Sequence, residues 1–352
     1  MVSILSVSKK TFFYPFSLLW EWVYIIRRNL YKYGLLSRYY FKVPIISVGN
    51  VTFGGTGKTP FTIWLTETFN EYKKSCVVLT RGYKGNLEHS SGIIIGDEAF
   101  KNDPQIYGDE PLLIARRLIQ GAVIVGKKRG PNLLHYFHRL KPDVVLLDDG
   151  FQHLKLFQDF SIVLFDALLP IEQYKVAPLG YLREGMTALS DADAIVLSRA
   201  DQVGPEKLAE LKAFINHYVR PGIPWGEIKY APTGIYNSHF NKVYDMKELN
   251  GRKVIAVAAI ASPDSFFSLL SANGAEVVEK VVFPDHYYFT PNDVNELLVS
   301  AASEGALLIT SEKDMVKIRR ISLDARILFV DIKVHFISGE NELREKIRNI
   351  LY

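Results

Sequence analysis

The segment Gly54-Gly55-Thr56-Gly57-Lys58-Thr59 constrains this chain more than any other. It follows a short apolar run at residues 43–48 and opens a helix expected over about residues 59–72. Glycines let a backbone curl so that successive N–H groups turn inward on phosphate oxygens. Lys58 is then placed to reach β- and γ-phosphates, and the Thr59 hydroxyl to ligate Mg²⁺. The helix start adds its partial positive charge. The strict pattern has glycine where this chain has Thr52, so the loop over Thr52, Phe53, Gly54, Gly55, Thr56 and Gly57 is a variant. An ordinary glycine-rich strand–helix turn is the bland alternative; the strand–loop–helix setting with Lys-Thr favours the nucleotide.

The rest of the chain supports such a loop. Short β-branched runs at 77–80, 93–95, 122–125, 144–147, 162–165 and 194–197 alternate with helical patterns at 111–119 and 133–140. That alternation predicts an α/β fold, a mostly parallel sheet with helices on both faces and ligands at the strand C-termini. Arg220-Pro221-Gly222-Ile223-Pro224 and Ala231-Pro232-Thr233-Gly234 break the pattern, and a second alternation starts near Lys253. The expected organisation is an N-terminal segment over 1–42, a P-loop core over 43–220, an extended linker over 221–250 and a smaller α/β domain over 251–352.

With 352 residues, 48% hydrophobic and 23% charged, the chain can bury a sizeable core. Its single cysteine, Cys76, excludes an internal disulfide framework and suits a reducing compartment. The net charge of +4 is unevenly spread: residues 1–42 hold Lys9, Lys10, Arg27, Arg28, Lys32, Arg38 and Lys42 against Glu21 alone. Phe12, Phe13, Tyr14, Phe16, Trp20, Trp22 and Tyr24 crowd the same stretch. Cations and amphipathic rings together fit a lipid headgroup interface. Pro15, Glu21 and Arg27-Arg28 interrupt the apolar run, which is too short to span a bilayer. A cleaved signal peptide is not expected either, for want of a small-residue cleavage site. Leu18, Trp22, Ile26 and Leu30 recur at helical spacing, with Arg28 and Lys32 on another face. A helix packed on its own domain is one outcome; an interfacial helix on an anionic membrane is slightly favoured. The chain offers no second basic patch for nucleic acid.

Four further segments bear on chemistry. Val144-Val145-Leu146-Leu147-Asp148-Asp149 reads as a buried strand delivering Asp148 to a Mg²⁺ shell, with Asp149 beside it. Gly108-Asp109-Glu110-Pro111 is either a functional pair of acids or a helix start with Pro111 in the first turn. His286, in Phe283-Pro284-Asp285-His286-Tyr287-Tyr288, is equally open between packing and catalysis. Ser198-Arg199-Ala200-Asp201 is a weak match to the base-reading loops of GTPases and suits a plain solvated loop better.

In order along the chain, these segments resemble the bacterial tetraacyldisaccharide 4′-kinase family. The resemblance runs from Ser47-Val48-Gly49-Asn50 and Gly54-Gly55-Thr56-Gly57-Lys58-Thr59-Pro60 through Arg81-Gly82-Tyr83 and Gly108-Asp109-Glu110-Pro111. It continues in Asp148-Asp149-Gly150-Phe151-Gln152-His153, Leu182-Arg183-Glu184 and Phe283-Pro284-Asp285-His286, and ends at Thr310-Ser311-Glu312-Lys313-Asp314. Tyr287-Tyr288 stands where the family often has a second histidine, and Ser311 alters the usual Thr-Glu-Lys-Asp.

The resemblance implies a lipid kinase that moves the γ-phosphoryl group of ATP to the 4′-hydroxyl of a tetraacylated glucosamine disaccharide 1-phosphate. It also implies Asp109 as base with His286 as its partner, Lys58 as the phosphate cation, and Mg²⁺ on Thr59, Asp148 and Glu110. Asp149, Gln152, His153, Arg81, Tyr83 and Arg183 are the expected substrate contacts. The enzyme would sit on the cytoplasmic face of the inner membrane and need no protein partner. Because Asp109 and His286 lie on opposite sides of the expected linker, their pairing implies domain closure. A GTPase-like switch or metal-delivery chaperone, and a soluble small-molecule P-loop kinase, are the rival readings. Neither accounts for the basic, aromatic first 42 residues.

Overall fold

Residues 45–49, 76–80, 144–148 and 194–198 are buried along their whole lengths, as strands covered on both faces must be. The computed structural model describes residues 2–83, 85–96 and 101–352, and side chains from Phe13 onward. The expected contributions of Lys9, Lys10 and Phe12 therefore lie outside the described side chains. The chain divides into two compact units. One comprises residues up to Thr80, Arg129–Tyr230 and Val334–Tyr352; the other comprises Arg81–Lys128 and Ala231–Lys333.

In the first unit the strands are parallel and lie in the order Trp225–Ile228, Ala194–Ser198, Phe160–Asp166, Ile45–Gly49, Val144–Asp148, Cys76–Thr80. Register sets Val48 beside Asp148 and Asp166 beside Ser198. The strand ends that precede the glycine loop, Asp149, Ala167 and Arg199 thus share one edge, where such sheets bind ligands. Phe336 packs on Phe61 and Trp64, and Arg344 of the C-terminal helix pairs with Glu71.

The second unit has its own parallel set: Glu276–Val282, Lys253–Ala258, Leu307–Ser311 and the start of Ile327–Ser338, in that order. Helices Pro263–Ala272 and Pro291–Glu304 lie on two separate apolar clusters built on these strands. Gly92–Ile95 and Gly121–Val125 add an antiparallel pair.

This division departs from the linear one. Residues 81–128, expected in the core, belong with the second unit. The expected linker is largely a 13-residue strand, Trp225–Asn237, with a short antiparallel partner, Lys242–Tyr244. Pro232 and Gly234, which read as breaks, are accommodated within that strand. Local punctuation reports backbone chemistry; unit membership is decided by contacts distant in sequence.

The N-terminal segment is one helix, Val2–Lys32, running through Pro15. Its polar side docks on the first unit: the Ser17 hydroxyl donates to the Val176 carbonyl, the Trp20 indole to that of Arg183, and Arg28 pairs with Glu184 and Asp191. Its apolar stripe faces outward, with Leu18, Leu19, Trp22, Val23 and Ile26 all exposed. No helix among the described residues is long and apolar enough to cross a membrane.

Candidate active site

The glycine loop ends at Gly57, whose φ of 80° is left-handed and which caps the helix Lys58–Glu71 without a side-chain hydrogen bond. That helix start keeps its partial positive charge for an outside acceptor. A Cβ on Gly57 would run into the Tyr230 hydroxyl. That hydroxyl donates to the Thr56 and Gly57 carbonyls at 3.4 and 3.3 Å. Arg199 donates to the Gly55 carbonyl at 3.1 Å while paired with Asp166. Gly54 (φ 99°) and Gly55 border open space. A loop whose carbonyls are held and whose helix start is uncapped suits an anion. The Thr56 hydroxyl is buried without a hydrogen-bond partner among the described residues.

Thr52 and Phe53 are differently placed. Thr52 bridges to Leu182, and the Phe53 N–H donates to the Tyr181 carbonyl at 2.7 Å, so that amide is already spent. The Arg183 N–H returns to the Val51 carbonyl, which straps residues 181–183 against the loop.

Asp148 ends its strand nearly fully buried and accepts from the Thr62 and Thr80 hydroxyls, each at 3.1 Å. Burial, and then the charge of Asp149, push its carboxyl above the usual range, against the pull of Arg129 and Lys58. Among the described residues no three His, Cys, Asp or Glu side chains gather around a point. A buried carboxylate with hydroxyls beside it is nonetheless a hard-oxygen setting that fits Mg²⁺.

Asp149 takes a left-handed φ of 48°, which aspartate tolerates. Its carboxylate lies 3.4 Å from Lys58 Nζ and 3.0 Å from Arg183 Nη1, and its carbonyl accepts from Arg129 at 2.9 Å. Burial would raise its carboxyl, but Lys58 and Arg183 outweigh that and hold it low. Gln152, expected to touch substrate, donates instead to the Asn50 carbonyl (2.7 Å) and to Glu184 (2.8 Å). The His153 imidazole is pushed down to about 3 by burial and by Arg129, Arg27 and Lys155, so it is neutral at pH 7.

In the second unit, Asp109 opens the helix Asp109–Ala115 and is almost wholly buried. Its Oδ1 accepts the Glu110 N–H at 2.9 Å, and its Oδ2 lies 2.9 Å from His286 Nδ1. Asp109 thus both opens this helix and contacts His286. His286 holds a left-handed φ of 65°, uncommon for a non-glycine residue, and its N–H donates to the Ala259 carbonyl at 3.2 Å. Tyr83 lies edge-on to the imidazole at 6.1 Å between centroids. Glu110 is 3.7 Å from the Lys313 ammonium, and Arg81 pairs with Glu88. Burial would raise the Asp109 carboxyl; the His286 hydrogen bond and the Lys313 charge prevail and lower it.

Asp109 and His286 fall within the same unit, so their pairing requires no closure across a linker. The first unit gathers Lys58, Asp148, Asp149 and Arg183, while Arg81, Tyr83 and Glu110 belong with the Asp109–His286 pair. Sequence reading missed Tyr230 and Arg129, for which the sequence carries no local signal. Arg199 it took for a solvated loop residue, although its place after a strand was the available clue.

The family described as tetraacyldisaccharide-1-P 4′-kinase matches residues 9–352. Tetraacyldisaccharide 4′-kinase of Syntrophotalea carbinolica is 34% identical over 343 residues, covering 97% of this chain and 92% of the relative. That of Halothermothrix orenii is 34% identical over 307 residues, covering 84% and 79%. The crystal structure of the "apo" form of LpxK from Aquifex aeolicus in complex with ATP superposes with a TM-score of 0.79 at 31% identity, covering 97% of this chain and 99% of that one. On its fold, its two sets of site residues and these matches, the chain belongs to the tetraacyldisaccharide-1-P 4′-kinase family.

Proposed function

We infer that the chain transfers the γ-phosphoryl group of ATP to the 4′-hydroxyl of a tetraacyldisaccharide 1-phosphate, a step of lipid A biosynthesis. The observation that carries this reading is the buried Asp109–His286 pair in a chain that also presents an uncapped glycine loop with Lys58. A loop that only binds and hydrolyses nucleotide needs no such carboxylate–imidazole pair.

In the proposed reaction the glycine loop and helix start bind the phosphates, and Lys58 exchanges its Asp149 contact for the β- and γ-oxygens. Asp148 and Thr59 would hold Mg²⁺, which would supply neutralisation of phosphate charge. Asp109 accepts the sugar hydroxyl proton as the new O–P bond forms and the bond from γ-phosphorus to the bridging oxygen breaks, releasing ADP. Arg183, ordered by Asp149, is the nearby cation for a substrate phosphate. Gln152 and Glu184 hold the loop in shape. Glu110 stays with Lys313.

The N-terminal helix supports a peripheral site at the cytoplasmic face of the inner membrane. Its outward Leu19, Trp22, Val23 and Ile26 would enter the lipid interface, with Lys32 near the headgroups. Acyl chains would then never need to cross water. No protein partner is invoked.

The test is incubation of the protein in detergent micelles with γ-labelled ATP, Mg²⁺ and tetraacyldisaccharide 1-phosphate, beside Asp109→Ala. Label in the lipid with the parent protein, lost in the variant, supports both reaction and base. A folded, ATP-binding protein that leaves the lipid unlabelled overturns the reading. The nucleotide-switch alternative loses its main feature, since Arg199 is engaged with Asp166 and the loop itself.

A further inference from the structure

A cavity of about 390 Å³ lies within the first unit, beside the last turns of the N-terminal helix. Asp159 and Asp193 in its wall immediately precede the strands Phe160–Asp166 and Ala194–Ser198. Part of the wall therefore belongs to the sheet edge opposite the glycine loop. Four cations line the cavity: Arg28, Lys32, Arg38 and Arg220.

The acids among them are already engaged. Asp191 pairs with Arg28, Asp193 pairs with Arg220 and accepts the Ser161 N–H, and Asp159 accepts the Ile45 N–H. The side chains of Lys32 and Arg38 have no ion-pair or hydrogen-bond partner among the described residues. Arg38 touches only the Tyr31 ring face, and its Nε is buried without an acceptor. A buried guanidinium N–H left in that state is costly, and an anion in the cavity would relieve it. The helix end offers no substitute: the carbonyls of Asn29, Leu30 and Tyr31 are taken by the N–H groups of Tyr33, Leu36 and Gly34.

The surroundings say what kind of anion. Tyr33, Leu35, Leu36, Tyr39 and Tyr40, all exposed, flank Lys32 and Arg38 in sequence, and Tyr40 stacks on the exposed Phe157 ring. Backbone hydrogen bonds from Tyr39 to Lys155 and Phe157 fasten this turn to the first unit. A free phosphate needs cations alone. Cations beside exposed aliphatic and aromatic side chains suit a phosphate esterified to acyl chains.

We propose that this cavity binds the phosphate of an anionic membrane phospholipid, with Arg38 and Lys32 as its ligands and Leu35, Leu36 and Tyr40 in the acyl region. It is a site apart from the catalytic one. This rests on the peripheral-membrane reading above and adds a built headgroup site to it.

The test is co-sedimentation of the full chain with phosphatidylcholine vesicles, with and without phosphatidylglycerol. The parent is expected to prefer the anionic vesicles and to keep that preference at raised ionic strength, where scattered surface charges are screened. Arg38→Met is expected to lose roughly tenfold or more in affinity for them. Lys42→Met, which removes an exposed cation of the same segment outside the cavity, should lose no more than about fivefold. ATP binding stays unchanged in both. Equal losses in the two variants overturn the built site and leave general charge attraction. Calorimetric binding of inorganic phosphate that is lost in Arg38→Met, without a difference between the variants on vesicles, overturns the lipid in favour of a free phosphate. A parent that ignores both kinds of vesicle overturns the peripheral-membrane reading as well. If Arg38→Met fails to fold, Lys32→Met against Lys42→Met decides in the same way.

Discussion

His286 Nδ1 stands 2.9 Å from Asp109 Oδ2 across 177 residues of sequence, and that contact decides how the buried acid behaves. Burial raises the Asp109 carboxyl, and without this contact the largest of the effects that lower it would be lost. His286→Ala is therefore expected to move the acid limb of kcat/KM to higher pH and to lower kcat roughly 10²-fold. A pH–rate profile of parent and variant checks this; an unmoved acid limb would refute it. The stability sign follows from the same depression. Ionised Asp109 stabilises the fold above its unfolded pKa of about 4, and that contribution is lost as pH falls through the lower folded value. The stability margin of the parent over Asp109→Asn should thus shrink on acidification, as read by denaturant titration.

Lys58 Nζ lies 3.4 Å from Asp149 and is expected to turn to phosphate oxygens when nucleotide binds. Lys58→Ala should cost roughly 10²–10³-fold in kcat, the usual scale for one charge-stabilising donor. Initial rates at saturating ATP measure it.

Asp148 has a raised carboxyl, so Mg²⁺ must displace a proton from a growing fraction of molecules as the pH drops. Apparent Mg²⁺ affinity in the presence of ATP should fall on acidification in the parent and lose that dependence in Asp148→Asn. Calorimetry in two buffers of different ionisation enthalpy would also detect the released proton.

The outward stripe of the N-terminal helix can be removed without touching the docked side. Replacing Leu19, Trp22 and Ile26 together by serine should weaken binding to vesicles containing anionic lipid roughly tenfold or more, given about 1.5–3 kcal/mol per fully buried apolar side chain. ATP binding should be unchanged. Equal sedimentation of parent and variant with vesicles would count against the interfacial role.

Arg28 is the opposite case, because it holds a Glu184 side chain that is only 2% exposed. Arg28→Ala strands that carboxylate with Gln152 as its remaining partner and should cost about 3 kcal/mol in unfolding free energy. Chemical denaturation of the two proteins gives the number.

Much of this arrangement is legible in the residues. The loop at Gly54–Thr59 and the run ending at Asp148 are strand–turn signals within a few residues, so these two strands and their loops fall where periodicity puts them. The Asp109–His286 pair is not legible that way. Either residue alone suits a helix start or a packed ring, and only the resemblance joined them. Arg199 and Tyr230 act on the loop from 144 and 173 residues away, and such contacts depend on strand order rather than local pattern. The division of the chain escaped for the same reason: residues 81–128 share the local strand–helix alternation of the first unit, and only contacts distant in sequence group them with the second.

The chain passes between its two units after Thr80, Lys128, Tyr230 and Lys333. The first unit therefore lacks Phe336, Arg344 and the C-terminal helix until almost the whole polypeptide has been synthesised. During synthesis the surface around Phe61 and Trp64 therefore waits for Phe336 to cover it. Neither unit is a contiguous stretch of the chain, so no single cut of the polypeptide separates them.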